Sequence, residues 1–338
     1  MRAAAIDPDL REAILLSCSG LGAGRAGASD VSPLGPAGWF SLVSRLQPAR
    51  LAAADLFELG VSGFTARLGY SAGDGERLDR LFARRTQVAF ELERLERLGL
   101  WAATLADAEY PDRLRERLGK LAPPVLFGAG DRSLLSLSGI AIVGSRDADE
   151  GALGFAATAA GAAAVQQFAT ISGAARGVDG TAMRAAFEAG GVVIGVLAES
   201  LEARVRQPST REALAAGLVA LLTPYRPDAP FSVGAAMGRN KIVYALSDLA
   251  IVVSSTEGSG GTWAGAVESL EHRWVPVFAW TGNADKDRNG ALLRRGAHPV
   301  GLDALGDLRG LVASAPGNRP LDHREIEVPT QQPMFDDE

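Results

Sequence analysis

A glycine-rich segment placed between a short apolar run and a helical stretch could bind an anion. It reads Ser172-Gly173-Ala174-Ala175-Arg176-Gly177-Val178-Asp179-Gly180. A helix N-terminus leaves backbone N–H groups unpaired and carries a partial positive charge, and glycines let the backbone approach a ligand closely. The pattern therefore predicts a phosphate cradle contacted by Ser172, Gly173 and Arg176, with Asp179 as a cap of the helix.

A second candidate segment, Val143-Gly144-Ser145-Arg146, also follows an apolar run. A single glycine is too few for the G-x-G-x-x-G fingerprint, so a dinucleotide cofactor is disfavoured. Arg146 stands where a guanidinium could grip phosphate through two parallel hydrogen bonds, and Gly144 and Ser145 would share that contact. The alternative is a surface arginine paired with a nearby carboxylate such as Asp147.

A third segment combines glycines with positive charge. It runs from residue 230 to residue 241, and its Phe231, together with Tyr225 just before it, could stack on a base, which is worth about 1–3 kcal/mol per base. The alternative for Phe231 is an ordinary place in the core. The residues expected to contact phosphate are Gly238, Arg239, Asn240 and Lys241.

A fourth segment, Glu257-Gly258-Ser259-Gly260-Gly261-Thr262, again opens onto a helical stretch. Gly260, Gly261 and Thr262 are its predicted phosphate contacts. Each of the four segments follows a predicted strand, and in a parallel sheet the carboxyl ends of the strands meet at one edge. We therefore expect the four segments to form one phosphate-binding groove.

The elements that would position these segments alternate between apolar strands and helices. Uniformly apolar strands indicate a sheet buried on both faces. The fold class predicted is α/β, with a doubly wound, mostly parallel, Rossmann-like sheet and a small all-helical N-terminal domain. The expected domains are helical 1–88, Rossmann-like 89–310, and a polar, disordered tail, 311–338. The predicted strands are 140–144, 169–172, 192–197, 218–222, 249–254 and 275–280, preceded by an extended entry strand at 123–128.

Composition excludes several classes of protein. The net charge of −6 argues against a basic nucleic-acid binder but permits a local groove, because binding depends on the field at the site. One cysteine and three histidines are too few for the usual zinc sites, and we expect no metal and no cofactor. Without a long apolar run, the chain is expected to be cytoplasmic, with no membrane partner.

Several motifs together resemble the DprA/Smf DNA-processing family in order and spacing, over about residues 90 to 300. The N-terminal part also has the size of that family's helical domain. The motifs are Ile142-Val143-Gly144-Ser145-Arg146, Ile171 to Asp179, Gly191 to Leu197, Gly238-Arg239-Asn240-Lys241-Ile242, and the approach segments Tyr110 to Leu114 and Pro123 to Gly128.

The resemblance implies a protein without catalytic residues that binds single-stranded DNA and forms a homodimer. It also implies loading of the recombinase RecA onto DNA, in recombination, natural transformation, or a related genome-maintenance or defence role. On this resemblance Arg146, Ser172, Gly173, Arg239 and Lys241 would contact the DNA phosphates. The winged helix that often ends members of the family is expected to be absent from this chain.

The wider superfamily leaves an alternative open, a sensor of small nucleotides or a phosphoribohydrolase. The hydrolases carry a catalytic glutamate where this chain has Gly265, and Glu268 comes three residues later. Without a carboxylate at that place, acid and base assistance for glycosidic cleavage is missing.

The tail carries one further motif, Gln331-Gln332-Pro333-Met334-Phe335. It resembles the short peptide by which bacterial proteins dock on the DNA polymerase sliding clamp. There Gln331 would fill a small polar pocket, and Met334 and Phe335 would fill an apolar one. Chance occurrence is the alternative for a motif of five residues.

Overall fold

A nine-stranded mixed sheet forms the centre of the molecule. The computed structural model describes residues 7–22, 31–282 and 289–315 of the chain. The strands are β1 (Leu100–Thr104), β2 (Val125–Ala129), β3 (Gly139–Gly144), β4 (Ala169–Ser172), β5 (Val193–Val196), β6 (Val219–Thr223), β7 (Leu249–Ser254), β8 (Val277–Trp280) and β9 (His298–Val300).

The strands are arranged in the order β1-β2-β6-β5-β4-β3-β7-β8-β9. The seven strands from β6 to β9 in that order run parallel. Next to β6, β2 pairs antiparallel with β6, and β1 pairs antiparallel with β2. The chain builds outward from β3 to β6 and then returns to place β7 on the other side of β3. The predicted doubly wound, mostly parallel sheet is therefore confirmed.

Within the described residues, five α-helices precede the sheet, in the N-terminal part that the sequence predicts to be helical. The first begins where Asp7 accepts hydrogen bonds from the N–H groups of Asp9 and Leu10, with Pro8 at a position that needs no N–H partner. The five are α1 (Pro8–Cys18), α2 (Pro36–Ala49), α3 (Gly60–Ala66), α4 (Ala72–Phe82) and α5 (Arg85–Arg97).

This helical region shares its core with the sheet. Leu15, Leu42 and Phe64 belong to the same buried apolar cluster as Phe127 of β2 and Ile142 of β3. Helix α5 runs through the boundary expected between residues 88 and 89, and it leads directly into β1. The helical region is therefore packed against the sheet rather than joined to it by a linker.

Helices cover both faces of the parallel strands. Successive residues of β3 show the division, because Ile140 and Ile142 join one apolar cluster while Ala141 and Val143 join the other. The helices are α6 (Asp112–Leu118), α7 (Glu150–Val165), α8 (Val178–Glu188), α9 (Leu201–Val205), α10 (Pro208–Ala215), α11 (Val233–Leu246), α12 (Gly260–His272), α13 (Gly290–Arg294) and α14 (Leu308–Ser314).

The predicted tail begins inside an ordered element. Helix α14 extends to Ser314, so the expected boundary at residue 311 falls within it. The clamp-like motif with Gln331, Met334 and Phe335 lies outside the described residues. Within the described ranges, no helix is both long enough and apolar enough to cross a bilayer.

Candidate nucleic-acid interface

A depression of about 310 Å³ lies at the carboxyl edge of β3, β4 and β5. This is the edge at which parallel α/β sheets bind ligands. The loops after the three strands, helix α9, Phe231 before α11 and Arg239 in the middle of α11 form its walls. Its lining residues are Arg146, Gly173, Ala174, Ala175, Arg176, Leu197, Ala198, Glu199, Arg204, Phe231 and Arg239.

The loop after β4 binds an internal anion, the carboxylate of Asp179. This side chain is buried in the first turn of α8 and accepts hydrogen bonds from the backbone N–H groups of Gly144, Gly173 and Ala175. Burial raises the pKa of Asp179, and the Arg239 guanidinium and these N–H groups oppose the rise. The residue that begins α8 is capped by no side chain, so Asp179 holds the loop instead of acting as the expected cap.

Arg239 supports this loop from beneath and does not reach the surface. Its side chain is 6% exposed, its Nη2 donates to the Gly173 carbonyl at 2.5 Å, and the same atom lies 3.9 Å from Asp179 Oδ2. Burial lowers the pKa of Arg239, and Asp179 counteracts that effect. The prediction that Arg239 directly contacts phosphate therefore needs correction, because the buried guanidinium is already engaged by the loop.

Two glycines are required by this packing. A Cβ atom on Gly173 would lie 1.6 Å from Nη1 of Arg239, so the guanidinium stacks on the bare backbone. Gly177 has a φ of +79°, and a Cβ there would lie 2.5 Å from the Ser145 carbonyl oxygen. The glycines thus serve close contacts within the protein as well as the shape of the loop.

The exposed side of the depression is formed by Arg146 and Phe231. The Arg146 guanidinium lies 5.1 Å from the centre of the Phe231 ring, and that ring is 46% exposed. Arg176, also exposed, pairs with Asp147 at 3.1 Å. A cation beside an exposed ring can hold a phosphate and stack a base at neighbouring points.

Arg204 and Glu199 belong to the site, although the sequence analysis did not single them out. Arg204 pairs with Glu199 and donates to the Ala174 carbonyl at 3.4 Å. Among the described residues, the buried Nε atoms of Arg204 and Arg239 have no acceptor. The sequence could have indicated them, because Glu199 and Arg204 follow the predicted strand 192–197, whose carboxyl end lies at the same sheet edge.

A second, mostly apolar depression of about 360 Å³ adjoins the first one and shares Ala198 and Glu199 with it. Tyr225 lines it and donates its hydroxyl to the Ala235 carbonyl at 2.9 Å. Burial raises the pKa of Tyr225, which stays protonated at neutral pH. Tyr225 is thus half-buried and lines the neighbouring cavity instead of the arginine-lined one.

Lys241 points away from the depression. It lies two residues after Arg239 on α11, nearly on the opposite face, and its Nζ is 3.5 Å from Glu268 of α12. The expectation that Lys241 and Arg239 act together on phosphate is therefore not met by their positions. Asn240 donates to the Gly261 carbonyl at 2.8 Å, and the Tyr225 hydroxyl fills the space beside Gly238.

The start of α12 lies next to the end of β3. Its exposed Gly260 and half-exposed Gly261 open the helix without a side-chain cap, and the Thr262 hydroxyl donates to the Gly144 carbonyl at 3.0 Å. At Gly265 a Cβ would meet Asn240 and Tyr244 at 3.1 Å. A larger side chain at this position would therefore press against Asn240 and Tyr244 of α11.

Polar groups at the carboxyl ends of β3 and β4 also form hydrogen bonds within the protein. The Ser172 hydroxyl is fully buried and donates to the Ile142 carbonyl at 2.6 Å, so the predicted contact of this hydroxyl with phosphate is corrected. The Ser145 N–H donates to the Ser254 hydroxyl at 3.2 Å, and the Gly144 N–H faces Asp179. In the described part of the chain, no group of three or more His, Cys, Asp or Glu residues could hold a metal ion.

Comparison with known proteins agrees with this architecture. A DNA processing protein DprA of Mycobacterium tuberculosis, provisionally so named, is 28% identical over 264 residues, in each of two strains. The matched region covers 72% of this chain and 66% of that relative, so the chain spans slightly less than two thirds of the relative's length.

Two solved structures share the fold. DNA processing protein A from Streptococcus pneumoniae matches with a TM-score of 0.57 at 22% identity, over 81% of this chain and 97% of that one. DNA processing protein A from Helicobacter pylori, described with a single-stranded DNA binding mode, matches with a TM-score of 0.52 at 23% identity, over 63% and 97% of the two chains.

The family model agrees with both comparisons. The model described as DNA recombination-mediator protein A matches residues 101–304, which is more than half of the chain and includes every wall of the depression. The resemblance seen in the motifs is thereby confirmed: this chain belongs to the DNA recombination-mediator protein A family.

Proposed function

We propose that this protein binds single-stranded DNA at the carboxyl edge of its sheet and acts in DNA processing. The observation that carries the proposal is the grouping of Arg146, Arg176 and Arg204 with the exposed ring of Phe231 around one depression. Guanidinium groups hold phosphates through paired hydrogen bonds, and an exposed ring accepts any base. Membership of the family and the Helicobacter relative's binding of single-stranded DNA support the same ligand.

The residues take different parts in this proposal. Arg146 and Arg176 contact the phosphates from the exposed side, and Phe231 stacks on a base. The buried Arg239 and Asp179 hold the loop after β4 in shape. The exposed or half-exposed groups that extend the contact along the edge toward α12 are Ser145, Asn240, Gly260, Gly261 and Thr262.

A titration of a labelled 20-mer oligodeoxynucleotide against a series of mononucleotides tests the proposal. A strand binder gains affinity with oligonucleotide length, and its affinity falls with salt with a slope of about −0.7 per neutralised phosphate. Tight mononucleotide binding with no gain from length would instead favour the small-nucleotide sensor.

We propose further that the protein is not an enzyme. The position of the hydrolase glutamate is occupied by Gly265, which has no side chain and is packed closely against Asn240 and Tyr244. Glu268, the nearest carboxylate along α12, pairs with Lys241. Release of a free base from nucleoside monophosphates by the purified protein would contradict this proposal.

The finer biological role rests on the family. We propose that the protein forms a homodimer and loads a RecA-type recombinase onto single-stranded DNA during recombination, natural transformation or a related process. Light scattering tests the dimer. Strand exchange by the recombinase on protein-coated DNA, with and without this protein, tests the loading.

We also propose that the motif with Gln331, Met334 and Phe335 binds the sliding clamp. A pull-down comparing the full chain with the Met334→Ala/Phe335→Ala variant tests it. Clamp recovered with the full chain and lost with the variant supports the motif. Equal recovery would remove it.

A further inference from the structure

An ion pair joins the N-terminal helical region to helix α9 in the wall of the DNA site. Arg94 of α5 donates to both carboxylate oxygens of Glu202 in α9, Nη2 to Oε1 at 2.6 Å and Nη1 to Oε2 at 3.1 Å. The Glu202 side chain is only 4% exposed. A buried carboxylate held by two parallel hydrogen bonds fixes both distance and orientation between its two helices.

Helix α9 depends on such contacts for its position. It has five residues, which is too short for a helix to be stable by itself. Besides the Arg94 contact, the Glu202 N–H donates to the Pro227 carbonyl at 3.0 Å, and the Ser200 hydroxyl donates to the same carbonyl at 3.0 Å. The loop after β6 and the helical region therefore hold α9 from one side.

On the other side, α9 presents Arg204 to the depression. Arg204 reaches the Ala174 carbonyl of the loop after β4 and pairs with Glu199, and its buried Nε has no acceptor among the described residues. A buried donor without a partner costs free energy that a bound anion would recover.

We propose that Arg204 is a phosphate ligand of the site and that Arg94, acting through Glu202, is the residue that positions it. This inference rests on the proposed binding of single-stranded DNA and assigns the helical region a part in it. The route runs from α5 through Glu202 and the single turn of α9 to the Arg204 guanidinium. Substitution of Arg94 should therefore weaken DNA binding only by displacing Arg204.

A double-mutant cycle tests the inference with full-length protein and the labelled 20-mer. We expect Arg204→Ala to weaken binding about tenfold, as expected for a hydrogen bond to a charged group, and to reduce the salt slope by about 0.7. Arg94→Ala should weaken binding about three- to tenfold. The double variant should bind no more weakly than Arg204→Ala alone, whereas additive losses would overturn the proposal.

The chain offers a matched control on the same helix. Arg85 of α5 also donates to both oxygens of a glutamate, Glu12 of α1, at 2.5 and 2.7 Å, but it faces away from α9. Arg85→Ala should leave affinity and salt slope unchanged, and an equal loss there would contradict a specific role of Arg94.

A milder variant keeps the test informative if Arg94→Ala does not fold. Arg94→Lys retains the charge beside Glu202 but loses the paired hydrogen bonds. It should weaken binding in the wild-type background and have no further effect with Arg204→Ala. Failure of the wild-type protein to bind the 20-mer would contradict the proposed function, whereas additivity in a protein that binds would contradict only the positioning role.

Discussion

The loop after β4 and the rim formed by Arg146 and Phe231 lie side by side at one sheet edge, yet they use their polar groups differently. In the loop, backbone N–H groups and the Arg239 guanidinium are directed to partners within the protein, Asp179 and the Gly173 carbonyl. At the rim, the Arg146 guanidinium and the Phe231 ring face solvent. A glycine-rich loop before a helix is therefore not by itself an open anion site.

The buried cluster of Arg239 and Asp179 should therefore contribute mainly to stability, and the rim of Arg146 and Phe231 mainly to DNA binding. A buried guanidinium near a buried carboxylate is poorly placed to meet a strand but well placed to hold a loop. An exposed guanidinium contributes little to folding. Substitutions in the two places should therefore separate stability from affinity.

The largest expected effect is that of Arg239→Ala on folding. The substitution leaves the Asp179 carboxylate buried without its cation, which typically costs about 3–5 kcal/mol. Urea denaturation should show this loss in the free energy of unfolding. A variant as stable as the wild type would contradict the structural role of Arg239.

The next effect is that of Arg146→Ala on DNA binding. Loss of a charge-assisted contact with phosphate should weaken binding of the 20-mer about tenfold, while the free energy of unfolding changes by less than about 0.5 kcal/mol. Fluorescence anisotropy measures the affinity. Exposed Arg211 in α10, which does not line either depression, provides a matched control, since Arg211→Ala should bind as the wild type does.

Phe231→Ala should weaken DNA binding by a comparable amount. Loss of one stacked base costs about 1–3 kcal/mol of binding free energy, and Phe231→Tyr should retain the stacking. Unlike Arg146→Ala, it should leave the salt dependence unchanged, because no phosphate contact is lost. A reduced salt slope in Phe231→Ala would show that the ring mainly positions Arg146.

The smallest effect concerns pH. Burial raises the pKa of Asp179 above the ordinary 3.8, so its ionised form costs stability above pH 3.8, and that cost is relieved as the pH falls through the raised value. Arg226 lowers the pKa of Asp228, so Asp228 contributes stability above pH 3.8 that is lost as the pH falls through its lowered value. Compared with Asp179→Asn, the wild type should therefore gain free energy of unfolding as the pH falls. Compared with Asp228→Asn, it should lose free energy of unfolding as the pH falls.

Much of the fold could be predicted from the sequence because the parallel strands are uniformly apolar and separated by helical segments. The strands predicted at 169–172 and 249–254 coincide with β4 and β7. Two strands were not predicted, β1 and β9. Both lie at the edges of the sheet, so pairing with a neighbour decides them more than their own pattern does.

The site could be predicted less completely than the fold. The order of strands and loops predicts which loops lie at the carboxyl edge of the sheet. Five of the residues predicted there line one depression, namely Arg146, Gly173, Arg176, Phe231 and Arg239. It could not show which side of α11 faces the loop, so Lys241 and Arg239 were expected to act together. The burial of Arg239 and the contribution of α9 depend on packing between segments that are distant in sequence.

The measurement that tests the central claim most directly is the salt dependence of 20-mer binding by the wild type and Arg146→Ala. If the rim holds the sugar-phosphate chain, the wild type has a steep negative slope and the variant loses about 0.7 of it, together with affinity. Equal affinity and equal slope in the two proteins, both folded, would contradict the placement of single-stranded DNA at this sheet edge.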